Sequence, residues 1–402
     1  MSNRGGPFPN LDAYRGIGMV MVMTNHAAYS AGLFNRHPTL NAFIARFDIS
    51  IPVFFMVSGF LLFRPYVLSI LGDRPRPASA GYFRNRALRL LPAYWAALAG
   101  VMIWYGLPRG RISSIPIYAL MLQTFSAQTV FRDFGAFDQA WSIGTEVTFY
   151  LLLPVLAYLA HRAVQRRPVD ERGRFLLLGC VALWALAQAW RILLVATQPP
   201  WIASATFWLP AHIDFFALGM GMAIFSARDR LHLTLPRPLV WLSLRPWACW
   251  LIALALWLIV VNPTHLIPLF EIRRDPLEFT AEYVAKQFMY CPVGFFYLLP
   301  AMFGPQHTGW IRRVLGSRFL SSLGVISLGF YLWHKAWLIQ AGSWTGAKPF
   351  YGSFPKLWLI TLAGGLLSGT LSYWLVERPF LRLKGRRTST AAVAPAATAA
   401  AT

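Results

Sequence analysis

The chain has 402 residues, of which 56% are hydrophobic and only 13% charged, where soluble domains carry roughly 25% charged residues; a mean hydropathy of +0.48 excludes an ordinary soluble globule and points to a polytopic membrane protein. The formal charge of +22 does not indicate a nucleic-acid binder. Lys and Arg lie mostly in short loops between apolar runs, where they set helix orientation and meet anionic headgroups or an anionic ligand.

The predicted spans are 11–34, 48–70, 87–107, 139–160, 175–197, 204–227, 247–262, 282–304, 319–342 and 355–377, each about 20 residues and so roughly one bilayer core of about 30 Å. A shorter apolar patch at 115–125 reads as re-entrant or interfacial. Ten spans and a cytoplasmic N-terminus put most basic loops inside, including "HRAVQRRPVDERGR" and the tail "RPFLRLKGRR", and leave few or balanced charges outside, as in "FEIRRDPLEF" at 270–279. The expected architecture is an all-α polytopic membrane protein of the plasma (inner) membrane, about ten transmembrane helices around a central cavity, with N- and C-termini cytoplasmic. Residues 1–10 form an N-terminal cytoplasmic segment, 11–383 the transmembrane domain and 384–402 an Ala/Thr/Pro-rich tail expected to be disordered. The first run, interrupted by Arg15 and His26, matches a signal peptide poorly and is expected to be a retained helix.

In that first run, Arg15 and His26 are eleven residues apart, three turns and about 16 Å of rise, which puts them on nearly one stripe facing one interior cavity. Asp12 and Arg15 could simply neutralise each other as an i,i+3 pair. A charge at the bilayer centre costs about 2.5–3.5 kcal/mol on insertion scales, which favours a functional role for Arg15. Asp48 opens the second span, where it either orients a histidine or caps the helix. Ser58 and Gly59 further along permit close approach of a helix or a ligand. In "YFRNRALRLLPAYW", Arg86 and Arg89 share a face and suit a phosphate clamp.

"WSIGTEVTFYLLLP" sets Glu146 about one turn into the fourth span beside Trp141, Ser142 and Tyr150; a carboxylate there needs a cation, a hydrogen-bond donor or a substrate hydroxyl. His212 and Asp214 in "HIDFFALG" read equally well as structural or functional. In "SLGFYLWH", Ser327, Tyr331 and His334 fall at i, i+4 and i+7 on one face, and an aromatic belt would explain Tyr331 as well. Cys180, Cys249 and Cys291 are an odd number without ligand spacing and support neither a disulfide framework nor a metal site. The chain shows no Gly-x-Ser-x-Gly elbow and no Walker loop. Histidine as base with arginines for an anionic donor then suggests acyl transfer from coenzyme A.

The segments "LDAYRGIGMVMVMTNH", "IPVFFMVSGFLLF", "YFRNRALRLLPAYW", "WSIGTEVTFYLLLP", "SLGFYLWH" and "VERPF" together resemble the family-3 membrane acyltransferases over about residues 9 to 383. The resemblance implies an O-acyltransferase moving an acetyl or other short acyl group from cytoplasmic acyl-CoA to a hydroxyl of a sugar, glycolipid or natural product. It implies His26 as the catalytic base, with Asp48 and Glu146 as supporting polar residues, and Arg15, Arg86 and Arg89 as donor-binding groups. Trp141, Ser142, Tyr150, Tyr331 and His334 form the expected substrate-binding set. His212 stands where the family segment often begins with Arg. Many relatives carry a fused esterase-like domain, which is not expected here. A cell-envelope glycan or glycolipid, such as a trehalose mycolate, is the favoured acceptor, with a macrolide-type product as the alternative. A transporter or flippase for an anionic solute would also want intramembrane arginine and histidine, but no paired repeat is visible.

Overall fold

Every regular element among the described residues is helical. The computed structural model describes residues 8–33, 37–108, 112–126, 129, 134–262, 280–348 and 350–384. The predicted outer loop 270–279 and residues 385–402 of the predicted tail lie outside the described residues, as do residues 1–7 of the N-terminal segment.

Among the described residues, ten long helices, labelled here in chain order, follow the predicted apolar runs: α1 Leu11–Ser30, α2 Ser50–Leu71, α3 Ser79–Tyr105, α4 Trp141–Val164 and α5 Val169–Thr197, then α6 Ile213–Arg230, α7 Pro246–Val261, α8 Ala281–Met302, α9 Arg318–Thr345 and α10 Phe354–Leu371. The run at 115–125 folds as two short pieces, Ile115–Ala119 and Leu122–Phe125. The predicted run 204–227 is only partly one helix. It begins with the short turns Ile202–Ala205 and Leu209–Ala211, and α6 starts at Ile213, because Pro210 lacks the N–H that would continue a helix from upstream.

Among the described residues, five helical stretches are long and apolar enough to cross a membrane by themselves: Thr39–Leu71, Ser79–Tyr105, Gly135–Val164, Val169–Thr197 and Phe354–Arg382. A sixth is gained if Arg237–Ser243 and α7, bent by 101°, count as one span. By that measure the chain is a membrane protein with several apolar helices, and five or six of the ten expected spans meet it among the described residues. The remaining long helices also carry ionisable side chains, Arg15 and His26 on α1, Asp214 on α6, Lys286 on α8 and His334 on α9.

Small residues let these polar helices approach. A Cβ on Gly59 would lie 2.2 Å from the Phe216 carbonyl oxygen, and one on Gly219 would lie 2.0 Å from that of Met56, so α2 and α6 pack backbone to backbone. Two of the apolar clusters bear on the site. One gathers α2, α6 and α8 around Phe55, Phe216 and Tyr290; the other gathers α3 and α9 around Tyr94, Phe137 and Leu332. Ile51 and Tyr150 pack against both, and a cavity opens along that seam.

Candidate active site

The seam encloses a cavity of about 140 Å3. Seven of the residues expected from the sequence line it together: Arg15 from α1, Arg86 and Arg89 from α3, Ser142, Glu146 and Tyr150 from α4, and Tyr331 from α9. Ser58 of α2 and Ser327 of α9 complete its polar wall.

Each guanidinium is only partly satisfied. Arg15 Nη1 reaches Asp12 Oδ1 at 3.3 Å with both side chains partly exposed. Arg89 Nη1 lies 3.6 Å from Glu377 Oε2. That carboxylate is 1% exposed because the chain after α10 widens into a π-helical turn, Ser372–Glu377, which supplies the inward-facing Glu of "VERPF". Arg86 Nε is buried and has no hydrogen-bond partner. Three partly satisfied cations lining one cavity are the kind of arrangement that can hold an anion.

Across the cavity, Glu146 accepts hydrogen bonds from the Ser58 hydroxyl and from Tyr150 Oη at 2.7 Å. The Tyr331 hydroxyl donates to the Gln139 carbonyl at 2.6 Å. Its single proton is thereby used, so Ser142 Oγ, 2.8 Å away, donates to Tyr331. Gln139, absent from the sequence expectation, also donates to the Leu332 carbonyl at 2.7 Å and pins this turn of α9.

His26 and His334 do not line the cavity; they adjoin it through Tyr331. His334 is 1% exposed. Its Nδ1 sits 2.7 Å from the Tyr331 carbonyl oxygen, and its Nε2 sits 2.8 Å from His26 Nδ1. The ring planes differ by 12° with centroids 5.1 Å apart, so with nitrogens in contact the rings meet edge to edge in nearly one plane. His26 is half-buried. The expectation that Arg15 and His26 face one cavity is therefore not met: Arg15 lines it, whereas the His26 ring, three turns further along α1, is held by an imidazole 308 positions away.

Two expected residues stand apart. Asp48 neither caps α2 nor meets a histidine. It pairs with Lys286 Nζ at 2.8 Å and accepts from the Tyr290 hydroxyl, because α8 brings a cation to it. Trp141 packs behind the wall, 4.5 Å from Phe207 and 6.4 Å from Phe55 between ring centroids. Asp214 is taken up by an ion pair with Arg191. His212 is buried against Trp141 and Phe55, with neither ring nitrogen hydrogen-bonded.

A family model described as an acyltransferase domain matches residues 8–377. The chain belongs to acyltransferase family 3. It is 24% identical over 388 residues to the exopolysaccharide production protein ExoZ of Rhizobium meliloti (strain 1021), covering 92% of this chain and 98% of that protein. It is 27% identical over 183 residues to nodulation protein 10 of Rhizobium leguminosarum bv. viciae, covering 40% of this chain and 45% of that one. No solved structure matches. The chain is thus a membrane-embedded acyltransferase, with an acyl donor and a hydroxyl-bearing acceptor implied.

Proposed function

We propose that this acyltransferase moves an acetyl or short acyl group from cytoplasmic acyl-CoA to a hydroxyl of a cell-envelope glycan or glycolipid, with His26 as general base. The observation that carries the reading is the hydrogen-bonded chain from His26 through His334 to Tyr331, which ends at a cavity walled by Arg15, Arg86 and Arg89. The name of ExoZ, an exopolysaccharide production protein, supports a glycan acceptor over a macrolide. Ten spans with both termini cytoplasmic would put the arginines at the inner leaflet, within reach of a cytoplasmic donor.

The base can be assigned to one nitrogen. A carbonyl oxygen only accepts, so His334 Nδ1 carries a proton, and in the neutral ring its Nε2 accepts. His26 Nδ1 must then donate to it, which leaves the lone pair on His26 Nε2 for the acceptor hydroxyl. In the reaction that nitrogen takes the hydroxyl proton as the oxygen attacks the thioester carbon. The C–O bond forms, the C–S bond breaks, and the proton passes to the departing thiolate. No carboxylate bonds the His26–His334 pair among the described contacts, so an imidazolium lasting beyond the step would lack a counter-ion. Direct transfer fits this better than a long-lived charged intermediate. Glu146 and Ser142 act as polar wall, and Asp48, committed to Lys286, takes no part in the step.

General-base catalysis contributes about 10²–10⁴-fold, so His26→Ala should lose that much acceptor-dependent thiol release from acetyl-CoA while keeping its size-exclusion profile. His334→Gln, whose amide oxygen can still accept from His26 Nδ1, should retain more activity than His334→Ala. Wild-type turnover by purified His26→Ala would refute the assignment. Solute movement without thiol release would support a transporter instead.

A further inference from the structure

Beside the histidine pair stands an ion pair that the transfer step does not use. Lys335 follows His334 in α9, and its Nζ lies 3.1 Å from Asp138 Oδ2. Asp138 belongs to the turn Gly135–Ala140 that leads into α4. Gln139 ties that turn to α9, its amide donating to the Leu332 carbonyl and its own carbonyl accepting from the Tyr331 hydroxyl, so the ion pair is fixed relative to the histidines. From Ser327, which lines the arginine cavity, to Lys335 is eight residues of α9, or about 12 Å of helix rise. The ion pair therefore sits at the level of the histidines and away from the arginines, and the ammonium's charge is felt at both imidazoles.

The protein around the pair is closed: Phe137, Gln139, Leu332 and Ala336 are buried. The Lys335 and Asp138 side chains nevertheless stay 17% and 28% exposed, and His26 is half-buried. Among the described contacts, Lys335 spends on Asp138 one of the three N–H donors of an ammonium. Donors left over in so apolar a setting are costly unless water or a ligand completes them. The ligand must match both signs, because a carboxylate only accepts and an ammonium only donates. A hydroxyl does both. A phosphate or carboxylate ligand would meet Lys335 but be repelled by Asp138, and an apolar alcohol would cover both charges without hydrogen-bonding either.

We propose that Asp138 and Lys335 hold the acceptor by the hydroxyl next to the one that reacts. That hydroxyl donates to Asp138 and accepts from Lys335, which turns its neighbour toward His26 Nε2. The acceptor is then a neutral polyol with hydroxyls on adjacent carbons, as in an uncharged glycan. This assignment rests on acyl transfer from acyl-CoA at His26.

Two alcohols with the same alkyl chain provide the test, octyl β-D-glucopyranoside and 1-octanol, with thiol release from acetyl-CoA as the readout and the protein in lipid nanodiscs free of sugar. Wild type should prefer the glucoside. Lys335→Met and Asp138→Asn should each cut the ratio of kcat/KM for glucoside over octanol about tenfold, the effect of one hydrogen bond to a charged group, through the glucoside KM. Lys335→Met/Asp138→Asn should lose little more than either single variant, because both groups bind one hydroxyl. Equal losses with both alcohols, no glucoside preference in the wild type, or variants with a lower Tm and an unchanged ratio would overturn the acceptor role while leaving the acyl-CoA enzyme intact. A wild type that releases no thiol with either alcohol would overturn the transfer reading and this assignment with it.

Discussion

Two arginines inside the bundle make a contrast. Arg191 of α5 is fully buried, and its fork is completed by the protein. Nη1 and Nη2 bond Asp214 Oδ2 and Oδ1 at 2.7 and 2.8 Å, and Nε bonds the Ala211 carbonyl at 2.9 Å. Arg86 of α3 borders two cavities and leaves Nε without a partner. Both are cations in a membrane-embedded fold, so charge alone does not mark a site. An arginine becomes available to a ligand when the fold withholds part of its hydrogen bonding.

That contrast breaks most visibly at Asp214. Removing it leaves Arg191 buried and unpaired, a loss of about 3–5 kcal/mol, so Asp214→Ala should yield little monodisperse protein by size exclusion. Arg86→Ala should instead fold with an unchanged Tm and raise the acetyl-CoA KM about tenfold, in line with the roughly 1.5–3 kcal/mol of a hydrogen bond to a charged group. A Tm loss in Arg86→Ala as deep as that in Asp214→Ala would mean that both arginines are structural.

The same contrast explains what was legible beforehand. The apolar runs mark helices because hydropathy is local, and helical spacing put Arg86 and Arg89 on one face; the same spacing put Arg15 and His26 toward one cavity, of which only Arg15 is a lining residue. Partners could not be read. His26 meets His334 across 308 positions, Asp48 meets Lys286 across 238, and Arg89 meets a Glu377 turned inward by a π-helical turn. These pairings depend on which helices become neighbours, and a single sequence carries no periodic signal for that. Arg191 was not singled out for the same reason: its α5 reads as an ordinary apolar span.

The smallest effect is expected at Lys384, which follows the matched residues 8–377. The preceding Leu383 carbonyl accepts from Arg84 Nη2 at 2.6 Å, which ties this segment to the start of α3. Burial, and then the nearby Arg86 and Arg89, push the Lys384 ammonium down from its ordinary 10.5 to about 8. Below pH 8 it is a cation that can add to the anion site; above, it is neutral, so donor affinity should fall as pH rises from 7 to 9. Lys384→Arg should abolish that slope and keep the affinity, whereas Lys384→Gln should abolish the slope at the lower affinity. Stability should move the opposite way. Between about pH 8 and 10.5 the unfolded chain binds the extra proton, so this group's contribution to stability rises with pH. A donor KM equally flat in wild type and Lys384→Gln would show that the amine does not reach the phosphates, and would confine the anion site to the three arginines.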